Sequence, residues 1–461
     1  GNTIMTKEDI LRPLDWQKGR ILNVTRLAAE LDKITAKCRD QGYLLTRVAR
    51  AEMKAGSGTL ELAMYEGRVD SISVIGQKNT QRSLILRETG TRTGQPLNFY
   101  LAAYDIQHLY ALNYFEALSL DVEKSAEGGV NLMLRIKEKP TTRVRLGLRY
   151  DLEDRFTGLT DIIVDNVAGR GIKAYINMRF GNYTDFTLGY RSPVLLNSNF
   201  VHSVQAFYRS RQYYEYEDKH RVNQFEVTRT GAELAFGYQW FRFGDTYLRY
   251  RYATDRTEET IGVAPYQDEE RIGTFAFLST IDTRDRATFP GSGVLFRGSY
   301  ESTGHASGSS HEFSKTSLYA QGAIPLAPAH TLLLEGSAGL GSGKLPYQER
   351  FGIGGADYLL GFPLMGYERR EFTGQNELGF SAAYRWRMKE YHLKAVKAVY
   401  LNGAVQAANV WDNRAALSVS DLRTGAGVGL HADTIIGPAR LDFGWGEQKR
   451  YTVYFSAGYE F

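Results

Sequence analysis

The amino-acid sequence predicts small α+β repeats followed by an all-β transmembrane barrel of about 16 antiparallel strands. Three observations lead to this fold class. An internal repeat with helical periodicity occupies the first 140 residues, and roughly 16 segments of alternating apolar and polar residues fill 141–461. The last eleven residues, YTVYFSAGYEF, keep that alternation up to Phe461, as though the final strand must pair with another. An even number of strands is typical of bacterial outer-membrane barrels.

Composition excludes several classes of protein. The 461 residues carry a net charge of only +4, which is spread along the chain and argues against nucleic acid as a partner. Cys38 is the one cysteine, so no internal disulfide can form. The sequence has no run of about 18 apolar residues, which excludes a transmembrane helix. The mean hydropathy of -0.36 is compatible with a barrel, because a barrel strand is apolar only at alternate residues.

Two repeats predict two small N-terminal domains, at 1–67 and 68–140. GRILN at 19–23 has a counterpart in GQPLN at 94–98, and an amphipathic helix and a strand pair follow each of them. The second repeat has an opening strand, RVDSISVIG, whereas the first has none before Gly1. We therefore expect that the sequence begins inside a domain and that native chain lies upstream.

The barrel is predicted over 141–461, where helical periodicity disappears. In TYLRYRYA, for example, Leu248, Tyr250 and Tyr252 alternate with Arg249 and Arg251. A soluble sandwich would also alternate, but its turns would recur every 8–12 residues or so, whereas the spacing here is about twenty. Aromatic residues cluster near segment ends, as interfacial girdles do.

Arginines on the predicted inner face leave two interpretations open. They could form a functional cationic lumen, or a solvated wall in which each arginine pairs with Asp or Glu. The residues concerned are Arg179, Arg249, Arg251, Arg385 and Arg387.

The whole chain resembles the BamA/TamA-type outer-membrane assembly and translocation family, in which periplasmic POTRA domains precede the barrel. The resemblance is carried by GRILNVTRLAAELDKITAKCRDQGYLLTRV, by YEGRVDSISVIG, and by the stretches 354–362, 404–412 and 422–461. It implies a location in the bacterial outer membrane, with the POTRA domains in the periplasm. Barrels of patatin-like autotransporters are a close second resemblance.

One loop motif of that family has a counterpart here. In the family, the sixth extracellular loop folds back into the lumen and carries a Val-Arg-Gly-Phe/Tyr motif. The matching stretch, between the eleventh and twelfth predicted strands, is FGIGGADYLLGFPLMGYERREFTGQNE at 351–377. Its matching positions are Gly354, Gly355, Gly361 and Phe362, while Leu360 occupies the position of the family's Arg.

The strands after this loop supply the predicted docking groups. In the family an Asp on the thirteenth strand receives the loop Arg, and Gln406 stands at that position in AVQAANVWD. Both members of the charge pair are thus replaced together, which is coherent because a buried charge without its partner is strongly destabilising. The other docking candidates by this resemblance are Glu377, Arg440 and Asp442.

The two ends of the barrel segment are predicted to meet at a seam. A barrel has no free edge because its last strand, 451–461, pairs with its first, near 141–152. The terminal aromatic residue also resembles the C-terminal signal that outer-membrane assembly machinery reads. The candidate residues for the seam and the signal are Arg143, Tyr451, Phe455, Tyr459 and Phe461.

The sequence indicates no catalytic chemistry. It contains no Gly-x-Ser-x-Gly elbow, and its His, Cys and Asp residues lack ligand spacing, so we expect no enzyme, no cofactor and no metal. The resemblance implies an assembly or translocation pore whose partners are unfolded or extended client polypeptides and outer-membrane lipid, with periplasmic accessory proteins as further candidates. The alternative is a translocator barrel that exports one specific cargo, as in a patatin-like autotransporter or two-partner secretion.

Overall fold

The computed structural model divides into two compact units, Gly1–Thr141 with Asp165–Ile172, and Thr142–Val164 with Lys173–Phe461. The residues that the structure describes are 3–6, 8, 10, 12, 21–54, 56–192, 199–217, 219–240, 243–262, 269–357, 361–390 and 395–458.

The first module of the N-terminal unit packs one helix on two strands. Helix α1 (Val24–Asp40) precedes the antiparallel strands β1 (Arg47–Lys54) and β2 (Thr59–Tyr65). Asn23 caps α1, because its side chain accepts a hydrogen bond from the backbone N–H of Arg26 at 2.9 Å. The buried face of the helix carries Leu27, Ile34 and Cys38, against which residues of β2 pack.

The second module has the same helix cap on a larger sheet. Its elements are β3 (Val69–Ile75), α2 (Arg82–Arg87), α3 (Phe99–Ala111), β4 (Phe115–Lys124) and β5 (Val130–Glu138). Asn98 caps α3 by accepting hydrogen bonds from the N–H groups of Tyr100 and Leu101, and it thereby repeats the role of Asn23 in the first module. The sheet order is β3-β5-β4, with β3 parallel to the central strand β5 and β4 antiparallel to it.

The C-terminal unit is a closed antiparallel barrel of 16 strands, which confirms the predicted fold class. Two further short strands, β17 (Phe351–Ile353) and β18 (Phe372–Gly374), pair with each other in the loop that joins the barrel strands His330–Gly343 and Asn376–Glu390. The barrel strands are β6 (Thr142–Asp151), β7 (Arg155–Val167), β8 (Ile172–Phe180), β9 (Tyr183–Ser192), β10 (Phe200–Glu217), β11 (His220–Trp240), β12 (Gly244–Ile261), β13 (Glu270–Asp282), β14 (Gly293–Thr303), β15 (Phe313–Ala327), β16 (His330–Gly343), β19 (Asn376–Glu390), β20 (Val396–Trp411), β21 (Arg423–Thr434), β22 (Gly437–Gly446) and β23 (Arg450–Ala457).

Alternate side chains of the wall point outward and inward, because successive residues of a strand face opposite sides. Leu248 is 64% exposed on the outer surface of β12, whereas Arg251 on the inner face is 8% exposed. Strand β19 presents Phe380, Tyr384 and Trp386 outward in the same way. Within the described part of the chain, no helix is both long and apolar enough to cross a membrane.

The wall is uneven in height. Strands β10, β11 and β12 have 18, 21 and 18 residues, whereas β22 and β23 have 10 and 8. Because each residue adds about 3.4 Å along an antiparallel strand, the described strands are longest at β10–β12 and are short on both sides of the β23–β6 junction, where β22, β23 and β6 have 8–10 residues. We call the rim with turns 152–154 and 447–449 the upper rim, and the rim with turns 283–292 and 435–436 the lower rim.

Candidate functional site

The described residues 344–357 and 361–375, between β16 and β19, lie inside the barrel, and we call them the luminal loop. The β17–β18 ladder closes its base. Farther in, its backbone bonds to itself, since Phe362 N–H donates to Gly352 O at 3.0 Å and Leu364 N–H donates to Gly355 O at 3.0 Å. Phe362 and Leu364 are almost completely buried. The loop is therefore a compact body with its own hydrogen bonds.

Glycines of the predicted loop motif lie where backbones nearly touch. A Cβ atom on Gly354 would lie 2.1 Å from Glu368 O, and one on Gly361 would lie 1.8 Å from Gly352 O. Gly355 adopts φ +83°, a conformation that L side chains rarely take. These three positions therefore require glycine for the loop to fold as it does. Leu360, at the position of the family's Arg, lies outside the described residues.

Glycines of the wall give the loop room to approach. A Cβ on Gly379 of β19 would lie 2.6 Å from the ring of Phe362, and one on Gly427 of β21 would lie 2.1 Å from the sulfur of Met365. Gly425 faces the same part of the loop, with Met365 O 2.4 Å from its Cβ position. Glycines on the inner face of the wall thus allow close packing of the tip of the loop, around Phe362 and Met365, against β19 and β21.

Gln406 on β20 contacts the loop directly. Its Oε1 accepts a hydrogen bond from the backbone N–H of Met365 at 2.8 Å, and the Gln406 side chain is 7% exposed. The barrel thus satisfies a buried N–H group of the loop with a neutral amide, at the position that is predicted by resemblance to match the family's Asp.

The other docking candidates, Glu377, Arg440 and Asp442, contact the wall and the lower rim. The carboxylate of Glu377 accepts a hydrogen bond from the hydroxyl of Ser337. Asp442 lies 2.8 Å from the Nε2 atom of His431. The guanidinium of Arg440 stands 5.8 Å from the ring centroid of Phe289, in the turn 283–292. The structure therefore brings Gln406 to the loop and the other three to the wall around it.

Sequence reasoning missed a buried cation of the loop, Arg369. Its side chain is 8% exposed and forms ion pairs with Asp154 at 2.7 Å, with Asp357 at 3.0 Å and with Glu153 at 3.2 Å. Its backbone N–H also donates to Glu153 at 3.0 Å. Because Glu153 and Asp154 form the turn after β6, Arg369 attaches the loop to the first strand of the barrel.

A second charge cluster attaches the first part of the luminal loop, at Glu349, to the barrel wall. Glu349 pairs with Arg229 at 2.8 Å and with Arg251 at 3.3 Å, and its backbone carbonyl accepts a hydrogen bond from Lys315 at 2.7 Å. Arg249 pairs with Glu301 at 3.3 Å. Arg249 and Arg251 therefore have carboxylate partners, which favours the interpretation of a charge-paired wall over a free cationic lumen.

The seam between β6 and β23 is short. Among the described residues, it consists of two residue pairs, Ser456 with Asp151 and Ala457 with Tyr150. The neighbouring β22–β23 and β6–β7 interfaces have 8 and 10 such pairs. The ring of Phe455 lies 6.1 Å from that of Tyr150 on the outer surface. Over the described residues, the first and last strands of the barrel are therefore paired with each other less extensively than with their other neighbours.

The remaining seam candidates lie away from these pairs. Tyr451 is 79% exposed on the outer face of β23. Arg143 is exposed near the start of β6, where it is in register with Ile163 of β7. Tyr459 and Phe461 lie outside the described residues.

Tyr454, a residue of β23 that sequence reasoning missed, holds the loop from the other side of the seam. Its hydroxyl accepts hydrogen bonds from the N–H groups of Gly366 at 2.9 Å and Tyr367 at 3.1 Å, and donates to Tyr367 O at 2.6 Å. The alternation of β23 places Tyr454 on the inner face, and that was the available signal. Across the residues that the structure describes, no cluster of His, Cys, Asp or Glu could hold a metal ion.

Comparison with known families decides the identity of this arrangement. An Omp85 superfamily domain matches residues 166–461, and a surface antigen variable number repeat of the POTRA type matches residues 67–139. The chain belongs to the Omp85 superfamily. The predicted BamA/TamA-type resemblance is thereby confirmed, and this Omp85 protein is an outer-membrane barrel preceded by a POTRA module. The family assignment also supports the prediction that it is not an enzyme.

Curated relatives of this Omp85 protein are assembly factors. It is 24% identical over 337 residues to the outer membrane protein assembly factor BamA of Nitratidesulfovibrio vulgaris, a match that covers 70% of this chain and 42% of that protein. It is 24% identical over 157 residues to a putative outer membrane protein assembly factor of Treponema pallidum, covering 32% of this chain and 19% of that one. The chain therefore spans less than half the length of these relatives.

Solved structures share the fold of this Omp85 protein over nearly its whole length. BamA from Haemophilus ducreyi lacking POTRA domains 1–3 superposes with a TM-score of 0.74 at 17% identity, covering 98% of this chain and 97% of that one. CdiB from Escherichia coli superposes with a TM-score of 0.59 at 16% identity, covering 99% and 88%. These likenesses establish the architecture of POTRA-type modules and a 16-stranded barrel.

Proposed function

We propose that this protein inserts client polypeptides into the outer membrane, and that the seam between β6 and β23 is where the barrel opens. The observation that carries this proposal is the seam itself, which has two described residue pairs while its flanking interfaces have 8 and 10. Because each strand pair is held by backbone hydrogen bonds, the interface with the fewest pairs is the one that opens most readily. An opened seam exposes two strand edges to a client strand.

The sheet of the second N-terminal module offers a first binding place for such clients. Its order β3-β5-β4 leaves β3 and β4 as edges of the three-stranded sheet. An extended segment can add to such an edge through main-chain hydrogen bonds, which recognise strand conformation more than sequence. Recognition of strand conformation suits a protein whose clients all form β-strands. Periplasmic accessory proteins could bind at the same two edges.

The low wall beside the seam supports insertion into lipid at this place. Strand β23 has 8 residues and β6 has 10, so each spans about 27–34 Å even if fully extended along the membrane normal. Barrel strands are tilted by roughly 35–45°, which shortens their vertical span further. The described part of β23 is shorter than the roughly 9–11 residues with which a tilted strand usually spans a membrane, so we expect lipid beside it to thin, and thinner lipid lowers the barrier to a strand that crosses there.

A disulfide across the seam tests the proposal. Tyr150 and Ala457 are paired, so both are changed to Cys in a Cys38→Ala background. We expect oxidation to slow the insertion of an unfolded outer-membrane barrel substrate into proteoliposomes at least about tenfold, and reduction to restore the rate. The matched control pairs Ser299→Cys with Ser317→Cys across β14 and β15, far from the seam in the strand order. Full insertion activity with the seam locked would refute the proposal.

Export of a specific cargo through the lumen is the second candidate function. A cavity of about 970 Å³ lies beside the luminal loop, and its lining includes Lys315, Glu335 and Arg385. Met365→Cys with Gly427→Cys would tether the loop to β21, because the Cβ position of Gly427 is 3.4 Å from Met365 Cγ, the place that a cysteine sulfur would occupy. Luminal export requires loop displacement and would stop under this tether, whereas insertion at the seam would continue.

A further inference from the structure

Both sides of the seam contact a third element, the second limb of the luminal loop. This limb, residues 366–371, runs beneath the upper rim and contacts β6 and its turn on one side and β23 on the other. On the β6 side, Arg369 binds Asp154 at 2.7 Å and Glu153 at 3.2 Å. Arg149 of β6 extends this contact, since its guanidinium lies 3.1 Å from Asp357, which also binds Arg369.

On the β23 side, the same limb is held by a hydroxyl and an ion pair. Tyr454 makes three hydrogen bonds to the backbone of Gly366 and Tyr367, at 2.6–3.1 Å. Arg450, at the start of β23, forms an ion pair with Glu371. The guanidinium of Arg450 also stands 5.0 Å from the ring centroid of Tyr367.

These contacts are buried and charge-assisted, and they bind each seam strand to one rigid segment. The side chains of Arg369 and Glu371 are 8% and 4% exposed, so water does not compete strongly for their partners. The direct seam, by contrast, consists of two described residue pairs near the upper end of β6 and the lower end of β23. β6 together with its turn, on one side, and β23, on the other, therefore each make more polar contacts with the loop than they have described residue pairs with each other.

We propose that the segment 366–371 is a splint that keeps the seam closed, and that its release precedes opening. The positioning residues are Arg369, on the β6 side, and Glu371 with the wall residue Tyr454, on the β23 side. Releasing either side frees one strand while the other stays attached to the loop. This inference rests on the proposed opening of the seam, which it explains as the release of residues 366–371 from β6 or β23 while Met365 stays on β21.

The test measures backbone amide hydrogen exchange at the strand opposite each substitution, in the full chain in detergent micelles. Tyr454→Phe and Glu371→Gln remove contacts between the splint and β23, and their effect is measured as amide exchange at residues 145–151 of β6. Arg369→Lys cuts the β6 side by removing the forked guanidinium, and it is read on residues 450–457 of β23. We expect exchange at the opposite strand to rise roughly tenfold for each variant, because rare opening governs exchange of such amides.

Tyr175→Phe is the matched control. It also removes an inner-wall hydroxyl, but that hydroxyl donates to Gln205 at 2.9 Å and has no part in the splint. Tyr454→Phe deletes a single oxygen, and heat-modifiable gel mobility verifies that every variant has folded. Faster exchange in the loop with unchanged exchange at the opposite strand would overturn the proposal, as would an equal effect of Tyr175→Phe.

The outcome is independent of the insertion assay. If the locked seam still inserts clients but the opposite-strand exchange responds, the proposed function fails and the splint stands. If the locked seam blocks insertion but the exchange does not respond, the function stands and the splint fails.

Discussion

At the scale of single residues, the luminal loop shows how several carboxylates accommodate one buried cation. Arg369 lies among Glu153, Asp154 and Asp357, whereas the predicted counterpart of the family's Arg, by resemblance, is Leu360. Burying a lone guanidinium would be strongly unfavourable, but several carboxylates and a backbone N–H bond offset that cost here. The neutral Gln406 then needs only to accept one N–H group, from Met365.

Gly366→Ala should release the tip of the loop. Gly366 has φ +92°, and a Cβ atom there would lie 2.1 Å from Gly446 N in the wall. The strained backbone and the clash together should weaken docking by roughly 1–3 kcal/mol, which is about a tenfold or greater rise in protease cleavage of the loop. Gly403→Ala, where nothing lies within 4 Å of the Cβ position, is the control. Equal cleavage of the two variants would contradict the docking geometry.

At the scale of elements, strands were predictable and the docking of the loop was not. Alternation with a period of two indicates a strand and its faces locally, so Leu248 could be placed outside and Arg251 inside from the sequence. Two partners of Arg369 belong to the first turn of the barrel, far earlier in the chain, and no local pattern relates them to the loop. The alternation of the last strand separates Tyr454 from Val453 and Phe455, but the bonds of Tyr454 to the loop backbone depend on where that loop lies.

The second N-terminal module should lose stability in acid through Glu138. Burial raises the pKa of Glu138, but hydrogen bonds from the Thr80 hydroxyl and the N–H groups of Asn79 and Thr80 outweigh it, so the pKa is lowered overall. A lowered pKa means that this stabilisation is present above the unfolded-state pKa of about 4.3 and is lost as the pH falls through the folded-state pKa.

Thermal unfolding of a fragment 1–141 measures this effect. Glu138→Gln should lower the melting temperature at pH 7, and this difference should shrink progressively as the pH falls below the unfolded-state pKa, because the stabilisation by the carboxylate is lost as the folded-state carboxyl becomes protonated. Glu61→Gln, at an exposed position of β2, is the control. A melting difference between wild type and Glu138→Gln that stays the same as the pH falls would exclude the ionised carboxylate as its origin.

At the scale of the whole molecule, we expect the last residue, Phe461, to be important for insertion of the barrel into membranes. We expect Phe461→Ala to impair insertion of the barrel into membranes far more than Phe443→Ala, because the last residue lies on the predicted seam strand and resembles an assembly signal. Phe443 is a fair control, since it is a phenylalanine that is 47% exposed on the outer face of β22. The measurement is the yield of heat-modifiable barrel in outer membranes, and similar yields for the two variants would contradict the prediction.

The contacts of the luminal loop also bear on the order in which the barrel folds. Asp154 and Arg369 are about 215 residues apart, and Gly366 and Tyr454 about 88, so each contact closes a large part of the chain. Contacts between distant residues form late, because loop closure costs entropy before it is compensated. If the loop docks on β19–β22 while the sheet is still open, β6 and β23 can each bind to the docked loop before they pair with each other. Closure of the cylinder then becomes two short docking steps instead of one search between the two distant ends of the barrel segment.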